Sequence, residues 1–262
     1  MLPDERHRKI LDVIAEEGRI TVAQICKLFS VSEMTARRDL RILDRQGLLR
    51  RVHGGAVSSL GRSYEPPYNL RITQAVEVKR AIGRKAAELV VEGDSIALDV
   101  GTTTIEIARA LKGKRNLTII TASLTIANEI ASQFSLGSDV RLILTGGILR
   151  EREFSMIGHI AEKAYRDFHV DKAFIGIGGL SLEEGLTEYN LEDALVKRPL
   201  LQSARQRIVV AEGSKLGRIT FATIGPLSAV QTLVTDKSAP EGITAELENM
   251  GIQVLAGETD SD

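Results

Sequence analysis

The sequence predicts a small winged helix-turn-helix domain followed by a larger α/β domain built on a parallel sheet. Two short helical patterns and a glycine-containing hairpin pattern occupy residues 21–57. From residue 76 onward, short apolar strands alternate with helical segments, as in sheets that helices cover on both faces. The 262 residues suffice for two separate cores. We therefore predict domains at residues 1–57 and 76–262, joined by a linker over residues 58–75.

Composition indicates an ordinary globular chain with unevenly placed charge. Hydrophobic residues make up 43% of the sequence, and no apolar run approaches the length that spans a membrane. Residues 1–60 contain 11 Lys and Arg against 8 Asp and Glu, whereas the rest contains 23 against 27. The basic end suits a phosphate-rich partner. Cys26 is the single cysteine, which excludes an internal disulfide, and no signal-peptide pattern is present, so we expect a cytoplasmic protein.

Residues 21–40 have the pattern of two short helices joined by a tight turn at residues 30–31. Thr21 and Ser32 suit the starts of these helices, because their hydroxyls accept hydrogen bonds from unpaired backbone amides. The apolar side chains expected to face a core are Val22, Ile25 and Phe29 in the first helix and Met34 and Leu40 in the second. A further helix over residues 4–17 and a short strand at residues 19–20 precede them.

The second helix of this pair has an outward face that fits a DNA major groove. Its outward side chains are Thr35, Arg37, Arg38 and Arg41. Hydroxyl and guanidinium groups bind base edges and phosphates, and we expect Arg38 to make such a contact. An ordinary helical hairpin with a solvated basic face gives the same pattern. These arginines could also pair with Glu33, Asp39 or Asp44, and the sequence leaves that choice open.

A hairpin pattern follows directly and predicts the wing. Gly47 suits the end of the preceding helix, residues 48–52 have strand character, and Gly54 with Gly55 suits a turn. Basic side chains of such a wing lie near phosphates or a minor groove. The predicted DNA-binding residues are Thr21, Ser32, Thr35, Arg37, Arg38, Arg41, Arg50, Arg51 and His53.

The second domain is predicted to contain seven parallel strands. They are placed at residues 95–100, 117–121, 140–144, 172–177, 207–211, 231–235 and 252–255. Helical patterns lie between most of them, including residues 124–132, 159–166, 191–203 and 241–250. Ligands of such sheets bind at the carboxyl ends of the strands, so the loops that follow the strands are the candidate site.

The loop over residues 99–104 has the composition of a phosphate-binding turn. Gly101 lets the backbone approach an anion, and Thr102, Thr103 and Thr104 bring amides and hydroxyls to a helix start. The lysine of a nucleotide-binding P-loop is missing, which disfavours ATP. A plain strand–helix turn has the same pattern. The other loops add hydroxyls, glycines and one ammonium group, and together they predict a pocket for a small anionic ligand such as a sugar phosphate.

The predicted ligand-binding set covers five loops. Its members are Asp99, Gly101, Thr102, Thr103, Thr104, Thr121, Ser123, Gly146, Gly147, Glu184 and Lys215. With 4 histidines and one cysteine at spacings that suit no metal, we expect no metal site and no cofactor.

Two parts of this sequence resemble the DeoR family of bacterial transcriptional regulators. Residues 31–35, 37–40, 47–49 and 53–56 match the family's DNA-binding domain, with Ala36 where a larger aliphatic residue is usual. Residues 99–104 and 214–215 are similar to the phosphate and lysine loops of its sensor domain, which looks like the fold of ribose-5-phosphate isomerase. The chain departs from that pattern at Glu212 and Gly213, where the family has Asp-Ser.

The resemblance implies an operator-binding repressor of carbohydrate-metabolism genes, controlled by a phosphorylated sugar. Because one wing domain reads few base pairs, we also expect a homodimer or homotetramer that associates through the second domain, with no membrane partner and a hinge near residues 66–67. Two alternatives remain. An isomerase-like enzyme with a DNA-binding appendage would use carboxylates such as Asp99, Glu184, Glu188 or Glu192. An architectural DNA binder would have no effector. We favour the regulator, without enzyme activity.

Overall fold

The computed structural model describes residues 3–45, 48–57, 61–133 and 139–259, and they form two compact units. The chain divides between Tyr64 and Glu65. The first unit is a winged helix-turn-helix and the second an α/β unit with a parallel sheet, so the predicted fold class is confirmed. The predicted linker differs, because residues 65–75 belong to the second unit. Within the described residues, no helix is long and apolar enough to cross a bilayer.

The first unit follows the predicted order of elements. These are α1 (Pro3–Glu17), β1 (Arg19–Thr21), α2 (Val22–Phe29), α3 (Glu33–Arg45), β2 (Arg50–Val52) and β3 (Gly55–Val57). The three strands form an antiparallel sheet in the order β1-β3-β2, which is the wing. Thr21 and Gln24 form a reciprocal capping box at the start of α2, with bonds of 3.1 and 2.8 Å. The predicted cap at Gly47 lies outside the described residues.

Apolar side chains from all these helices and the wing form the core of the first unit. Its fully buried members include Ile10, Ile25, Leu40 and Leu43. The prediction that Met34 faces this core is wrong, since Met34 is 79% exposed. The inward face of α3 runs through positions 36, 40 and 43 at helical spacing, and position 34 lies on the opposite side. Ala36 is fully buried on that inward face, which explains a small residue there.

The second unit begins with a short helix and ends on a strand. Its helices are α4 (Tyr68–Arg71), α5 (Val76–Glu88), α6 (Thr104–Ala110), α7 (Leu124–Gln133), α8 (His159–Asp167), α9 (Leu191–Ser203) and α10 (Glu241–Asn249). The strands of its main sheet are β4 (Ser95–Leu98), β5 (Thr118–Thr121), β6 (Arg141–Leu144), β9 (Val170–Gly176), β12 (Ala204–Val210), β14 (Thr232–Asp236) and β15 (Gln253–Gly257). All seven predicted strands are therefore confirmed, with ends that shift by a few residues.

The main sheet is parallel throughout, in the order β15-β14-β12-β9-β4-β5-β6. The chain builds outward from β4 through β5 to β6, and it then returns to β9 on the other side of β4. Sheets of this kind open a crevice where the order reverses, at the carboxyl ends of the strands. The candidate site therefore lies between the ends of β4 and β9.

Alternating side chains place one apolar layer on each face of the sheet. Ile96 and Leu98 of β4 pack with Ile82 of α5, whereas Ala97 packs on the opposite face with Tyr165 of α8. Successive side chains of a strand point to opposite faces of the sheet, so a strand that is buried on both faces contributes apolar side chains to both layers.

Five short strands that the sequence analysis missed form antiparallel pairs beside the main sheet. They are β7 (Ile148–Arg150), β8 (Ser155–Ile157), β10 (Gly179–Ser181), β11 (Gly185–Glu188) and β13 (Ala222–Gly225). The pair β7 and β8 forms one hairpin, and β10, β11 and β13 form a three-stranded sheet. The strands are three or four residues long, too short for a clear alternating pattern.

Candidate functional site

The recognition-type helix α3 presents an exposed polar face. Ser32 precedes it and accepts a hydrogen bond from the amide of Thr35 at 3.3 Å, while the two hydroxyls lie 3.0 Å apart. Arg38 and Arg41 are exposed. Arg37 is also exposed and pairs with Glu33 one turn earlier, at 3.2 Å. The structure thus brings the predicted polar side chains to one accessible surface.

The opposite face of α3 is fixed by a buried ion pair that the sequence analysis missed. Asp39 accepts hydrogen bonds from Arg6 of α1 at 2.6 and 3.1 Å, and its carboxylate lies 3.0 Å from His7. Burial alone would raise the pKa of Asp39, but the hydrogen bonds from Arg6 and His7 outweigh it and hold the pKa below its usual range. Asp39 therefore pairs with α1, and the arginines of α3 are left facing outward.

The wing carries the remaining predicted cations. Arg50, Arg51 and His53 are all exposed. The amide of Arg51 donates to the carboxylate of Asp44 at 3.1 Å, which ties β2 to the last turns of α3. The wing is therefore attached directly to the C-terminal turns of α3. Thr21 is exposed at its edge, with its hydroxyl in the capping box.

In the second unit, Asp99 lies at the point where the strand order reverses. It follows β4, and its amide donates to the carbonyl of Phe174 in β9 at 3.0 Å. Its carboxylate accepts from the amide of Gly176 at 3.0 Å and from Lys197 of α9 at 2.9 Å. Asp99 is 1% exposed, and its pKa is raised because burial outweighs the attraction of Lys197.

Lys197 holds together the floor of this crevice. Its ammonium contacts Asp99, the carboxylate of Glu188 at 2.7 Å and the carbonyl of Gly176 at 2.8 Å. Burial would lower the pKa of Lys197, but the two carboxylates outweigh it and raise the pKa. Three acceptors occupy the three protons of the ammonium, so Lys197 positions the carboxylates around it.

The loop after β4 makes a tight turn into α6. Gly101 has φ +145°, a conformation open mainly to glycine, and the Thr104 hydroxyl donates to its carbonyl at 3.1 Å. Thr102 and Thr104 are buried and Thr103 is half-buried. The hydroxyl of Thr104 thus closes the turn.

The loop after β5 uses its hydroxyls inside the fold. Thr121 accepts from the amide of Ser123 at 3.0 Å, and Ser123 accepts from the amide of Ile126 at 3.2 Å at the start of α7. Both side chains are at most 1% exposed. Gly146 and Gly147 follow β6 with φ +71° and +129°. A side chain at Gly147 would meet the carbonyl of Ile157 at 2.7 Å, so glycine is required there.

The loop after β12 carries a cluster of cations around a tyrosine. Lys215 donates to the Tyr189 hydroxyl at 3.1 Å and lies 5.1 Å above its ring, and Arg218 reaches the same hydroxyl at 3.4 Å. Burial would raise the pKa of Tyr189, but these cations outweigh it and lower the pKa. Lys215 is among the residues predicted from the sequence, whereas Tyr189 and Arg218 are not.

The packing around Gly213 explains why this chain has glycine at a position where the DeoR pattern has serine. A side chain at this position would meet the backbone nitrogen of Ala239 at 2.4 Å, and the amide of Gly213 donates to Asp236 at 2.7 Å. The turn is therefore packed against the loop after β14 and accepts only glycine.

Glu184 is not brought to the crevice. It lies exposed in the turn between β10 and β11, where its amide donates to Ser181 at 3.0 Å. Glu188, at the other end of β11, reaches Lys197 instead. Four residues of strand separate them, about 13 Å at about 3.3 Å per residue. Within the described residues, no cluster of three or more His, Cys, Asp or Glu is placed to hold a metal ion.

Comparison with known families matches both units. Residues 6–60 match the family of DeoR-like helix-turn-helix domains, and residues 74–237 match the family of DeoR C-terminal sensor domains. The transcriptional repressor GlcR of Bacillus subtilis is 35% identical over 99% of this chain and 98% of its own. The glycerol-3-phosphate regulon repressor of Escherichia coli is 32% identical over 97% of this chain and 99% of its own.

Solved structures give a more distant relationship. Ribose 5-phosphate isomerase A from Methanocaldococcus jannaschii is 17% identical, with a TM-score of 0.38, over 53% of this chain and 53% of its own. Such low similarity carries no functional conclusion. The relatives named above are transcriptional repressors that match nearly the whole chain, so the prediction of a transcriptional regulator is confirmed.

Proposed function

Because this chain belongs to the DeoR family of helix-turn-helix transcriptional regulators, we propose that it represses carbohydrate-metabolism genes under the control of a phosphorylated sugar. One observation carries the proposal. The chain combines an exposed basic helix and wing in one unit with a polar crevice at the strand-order reversal of the other. Each feature alone fits several functions, whereas the pair fits a DNA-binding protein that responds to a small molecule.

The DNA-binding role is assigned to the outward face of α3 and to the wing. Arg38 and Arg41 are exposed on α3, and Arg50 and Arg51 are exposed on β2. Guanidinium groups in this arrangement bind guanine edges and phosphates. Thr35 and His53 complete the proposed surface. Ser32 and Thr21 contribute through the helix starts that they cap.

The effector role is assigned to the loops at the crevice. We place the phosphate at the backbone of Gly101, Thr102 and Thr103 and at the hydroxyl of Thr102, and the other end of the ligand toward Lys215. Strands β4 and β12 flank β9, so their ends lie about 10 Å apart at about 4.8 Å per strand. A phosphorylated sugar is long enough to reach both loops. The name of the Escherichia coli relative, which refers to a phosphorylated polyol, supports this class of ligand.

The proposed mechanism needs more than one subunit. A single winged helix contacts few base pairs, so we propose a homodimer or homotetramer on a repeated operator. The effector can weaken DNA binding only by favouring a conformation in which the paired wings are misplaced. An architectural DNA binder without an effector is the alternative that remains.

A thermal-shift screen tests the effector assignment. The panel contains glycerol 3-phosphate, ribose 5-phosphate, glucose 6-phosphate and fructose 6-phosphate, each beside its unphosphorylated parent. A ligand at a hundred times its Kd adds about 2.7 kcal/mol to the stability of the unit that binds it. We expect one phosphorylated compound to raise the Tm and its parent to have no effect.

The double variant Thr102→Val with Lys215→Ala provides the control for this screen. It should lose the shift and keep DNA binding. A panel without any effect on the wild-type protein would contradict the sugar-phosphate assignment and favour the architectural alternative.

A further inference from the structure

The first stretch of the second unit, residues 65–75, is a packed element rather than a loose linker. We name it the entry segment, because the chain passes through it from the DNA-binding unit into the sensor unit. Tyr68 is 5% exposed, its ring meets Phe154 edge-on at 5.9 Å, and its amide donates to Glu153 at 3.2 Å. The sequence predicted a hinge here, whereas the segment is held by specific contacts.

An ion-pair network anchors the entry segment to α9. Arg71 pairs with Glu65 at 2.8 Å and with Glu153 of the loop between β7 and β8. Arg150 pairs with Glu65 at 2.8 Å and with Asp193 in the first turn of α9. Asp193 lies one helical turn before Lys197, which forms the floor of the crevice. This network joins the segment to the helix that positions Asp99 and Glu188.

A buried lysine makes the second connection. Lys79 of α5 is 3% exposed, and its ammonium donates to the backbone carbonyls of Gln74, at 2.7 Å, and Arg71. The same ammonium lies 3.6 Å from the carboxylate of Glu212. Lys79 therefore holds the last turn of the entry segment from inside the second unit.

The end of the entry segment is itself strained. Ala75 has φ +47°, a left-handed conformation that residues other than glycine seldom adopt. The contacts of Lys79 with the carbonyls of Arg71 and Gln74 lie directly before this residue. Hence, if the hydrogen bonds from Lys79 to these carbonyls break, the backbone at Ala75 is the place where the entry segment can change direction.

Glu212 connects this lysine to the proposed effector loop. The amide of Lys215 donates to the carbonyl of Glu212 at 2.9 Å, so the two residues share one turn. Burial lowers the pKa of Lys79, Glu212 opposes that effect, and Lys215 adds to it by repulsion. An anion bound at Lys215 offsets this repulsion and favours the charged form of Lys79.

We infer that Lys79 and Glu212 are positioning residues that connect the effector loop at Lys215 to the entry segment. The inference rests on the proposed function. It adds which residues connect the effector loop to the entry segment and whether the bound ligand tightens or loosens that segment. A bound anion tightens the hold of Lys79 on the carbonyls of Arg71 and Gln74. The DNA-binding unit is then attached to a segment whose order depends on the ligand.

Hydrogen–deuterium exchange of the full chain tests this inference. Without ligand, Lys79→Met should speed exchange of amides in residues 65–75 about tenfold, because two hydrogen bonds from a charged group are lost. Lys172→Met is the matched control, since Lys172 also pairs with a buried carboxylate, Asp94, but at the opposite end of the sheet. It should leave exchange in the entry segment unchanged.

The ligand arm uses the compound of the panel that raises the Tm of the wild-type protein most. It should slow exchange in the entry segment of the wild type and have no such effect in Lys79→Met. Glu212→Gln keeps Lys79 in place, and it should also lose the ligand-dependent protection. This second variant decides the question if Lys79→Met fails to fold.

Two results would overturn the inference while the proposed function stands. One is equal exchange of the entry segment in Lys79→Met and wild type without ligand. The other is a compound that raises the Tm of the wild type but protects the segment equally in Lys79→Met or Glu212→Gln. A panel that leaves the wild-type Tm unchanged instead contradicts the proposed function itself.

Discussion

The outward face of α3 and the crevice of the second unit place their charged side chains in opposite environments. Around the outward face of α3, the side chain of Arg37 is 52% exposed and that of its partner Glu33 is 70% exposed. In the crevice of the second unit, the side chains of Lys197 and Asp99 are 4% and 2% exposed. The same residue types therefore serve two different purposes in one chain.

This difference follows from the ligands proposed for each unit. A polyanion such as DNA is bound by solvated cations that release counterions, and its affinity falls steeply with salt. A small molecule in a crevice needs groups held in fixed positions, and burial with full pairing supplies that rigidity. Buried charges carry a large penalty if a partner is removed, whereas exposed charges do not. The predictions below test this contrast.

The largest effect is expected from Lys197→Met. It leaves the buried carboxylates of Asp99 and Glu188 without their cation, and such a loss costs about 3–5 kcal/mol of unfolding free energy. Chemical denaturation of the full chain measures it. Lys163→Met is the control, because Lys163 is 62% exposed and pairs with Asp167 on the surface, where the loss should stay below about 0.5 kcal/mol. Equal losses in the two variants would contradict the contrast.

A pH-dependent effect is expected at Asp193. Burial outweighs the attraction of Arg150 and raises its pKa from 3.8 to about 6. The folded state then holds this proton more tightly than the unfolded state, so stability falls as the pH rises from about 4 to 6. In Asp193→Asn this dependence of stability on pH disappears. The unfolding free energy of the variant should therefore rise by up to about 3 kcal/mol relative to wild type between pH 4 and 7.

Denaturation at several pH values measures that difference. Asp171→Asn serves as its control, because hydrogen bonds from Ser95 lower the pKa of Asp171 below 3.8. Its difference from wild type should therefore stay constant between pH 4 and 7. A constant difference for Asp193→Asn as well would show that the pKa of this carboxyl is not raised in the folded state.

A smaller effect, on DNA binding alone, is expected from Arg38→Ala. Removal of one contact to a base or phosphate should cost about 1–3 kcal/mol of operator affinity. If the contact is to a phosphate, the slope of log affinity against log salt concentration should also fall by about one. Stability and effector binding should not change, because Arg38 is exposed. Fluorescence anisotropy on an operator selected from random DNA measures both quantities. Unchanged binding would exclude the proposed docking of α3.

The smallest effect is expected from Thr21→Ala. It removes the hydroxyl that accepts from the amide of Gln24 at the start of α2, at a cost of about 1 kcal/mol. Denaturation of the full chain measures it. Thr244→Ala is the comparison, since its exposed hydroxyl donates to the carbonyl of Glu241 within α10 and is not a cap. A loss no greater than in Thr244→Ala would contradict the capping role.

Local patterns in the sequence were sufficient for the strands of the main sheet and the loops that follow them. Seven short apolar runs predicted the seven strands of the sheet, because strands that are buried on both faces are continuously apolar. The loop at Gly101 was identifiable because a glycine followed by three threonines marks a tight turn into a helix. The outward arginines of α3 followed from helical spacing. Met34 was wrongly predicted to face the core, because at the start of a helix the spacing of apolar residues is compatible with more than one buried face.

Contacts between distant positions could not be predicted in this way. Arg6 and Asp39 are 33 positions apart, and Lys197 reaches Asp99 and Glu188 from a helix whose sequence shows only an ordinary lysine. The sequence also did not show the internal partners of the hydroxyl groups. Thr121 and Ser123 were predicted to bind the ligand, and their hydroxyls accept hydrogen bonds in the turn and at the helix start. Sequence shows which groups are present but not which partner each one finds.

The most direct test of the central claim is operator affinity with and without the phosphorylated compound found in the thermal-shift screen. Anisotropy titrations of the wild-type chain should show a change of at least about fivefold in Kd, within the usual range of coupling between two sites. The variant with Thr102→Val and Lys215→Ala should bind the operator with the same Kd whether or not the compound is present. An operator affinity that the compound leaves unchanged in the wild type would contradict the account.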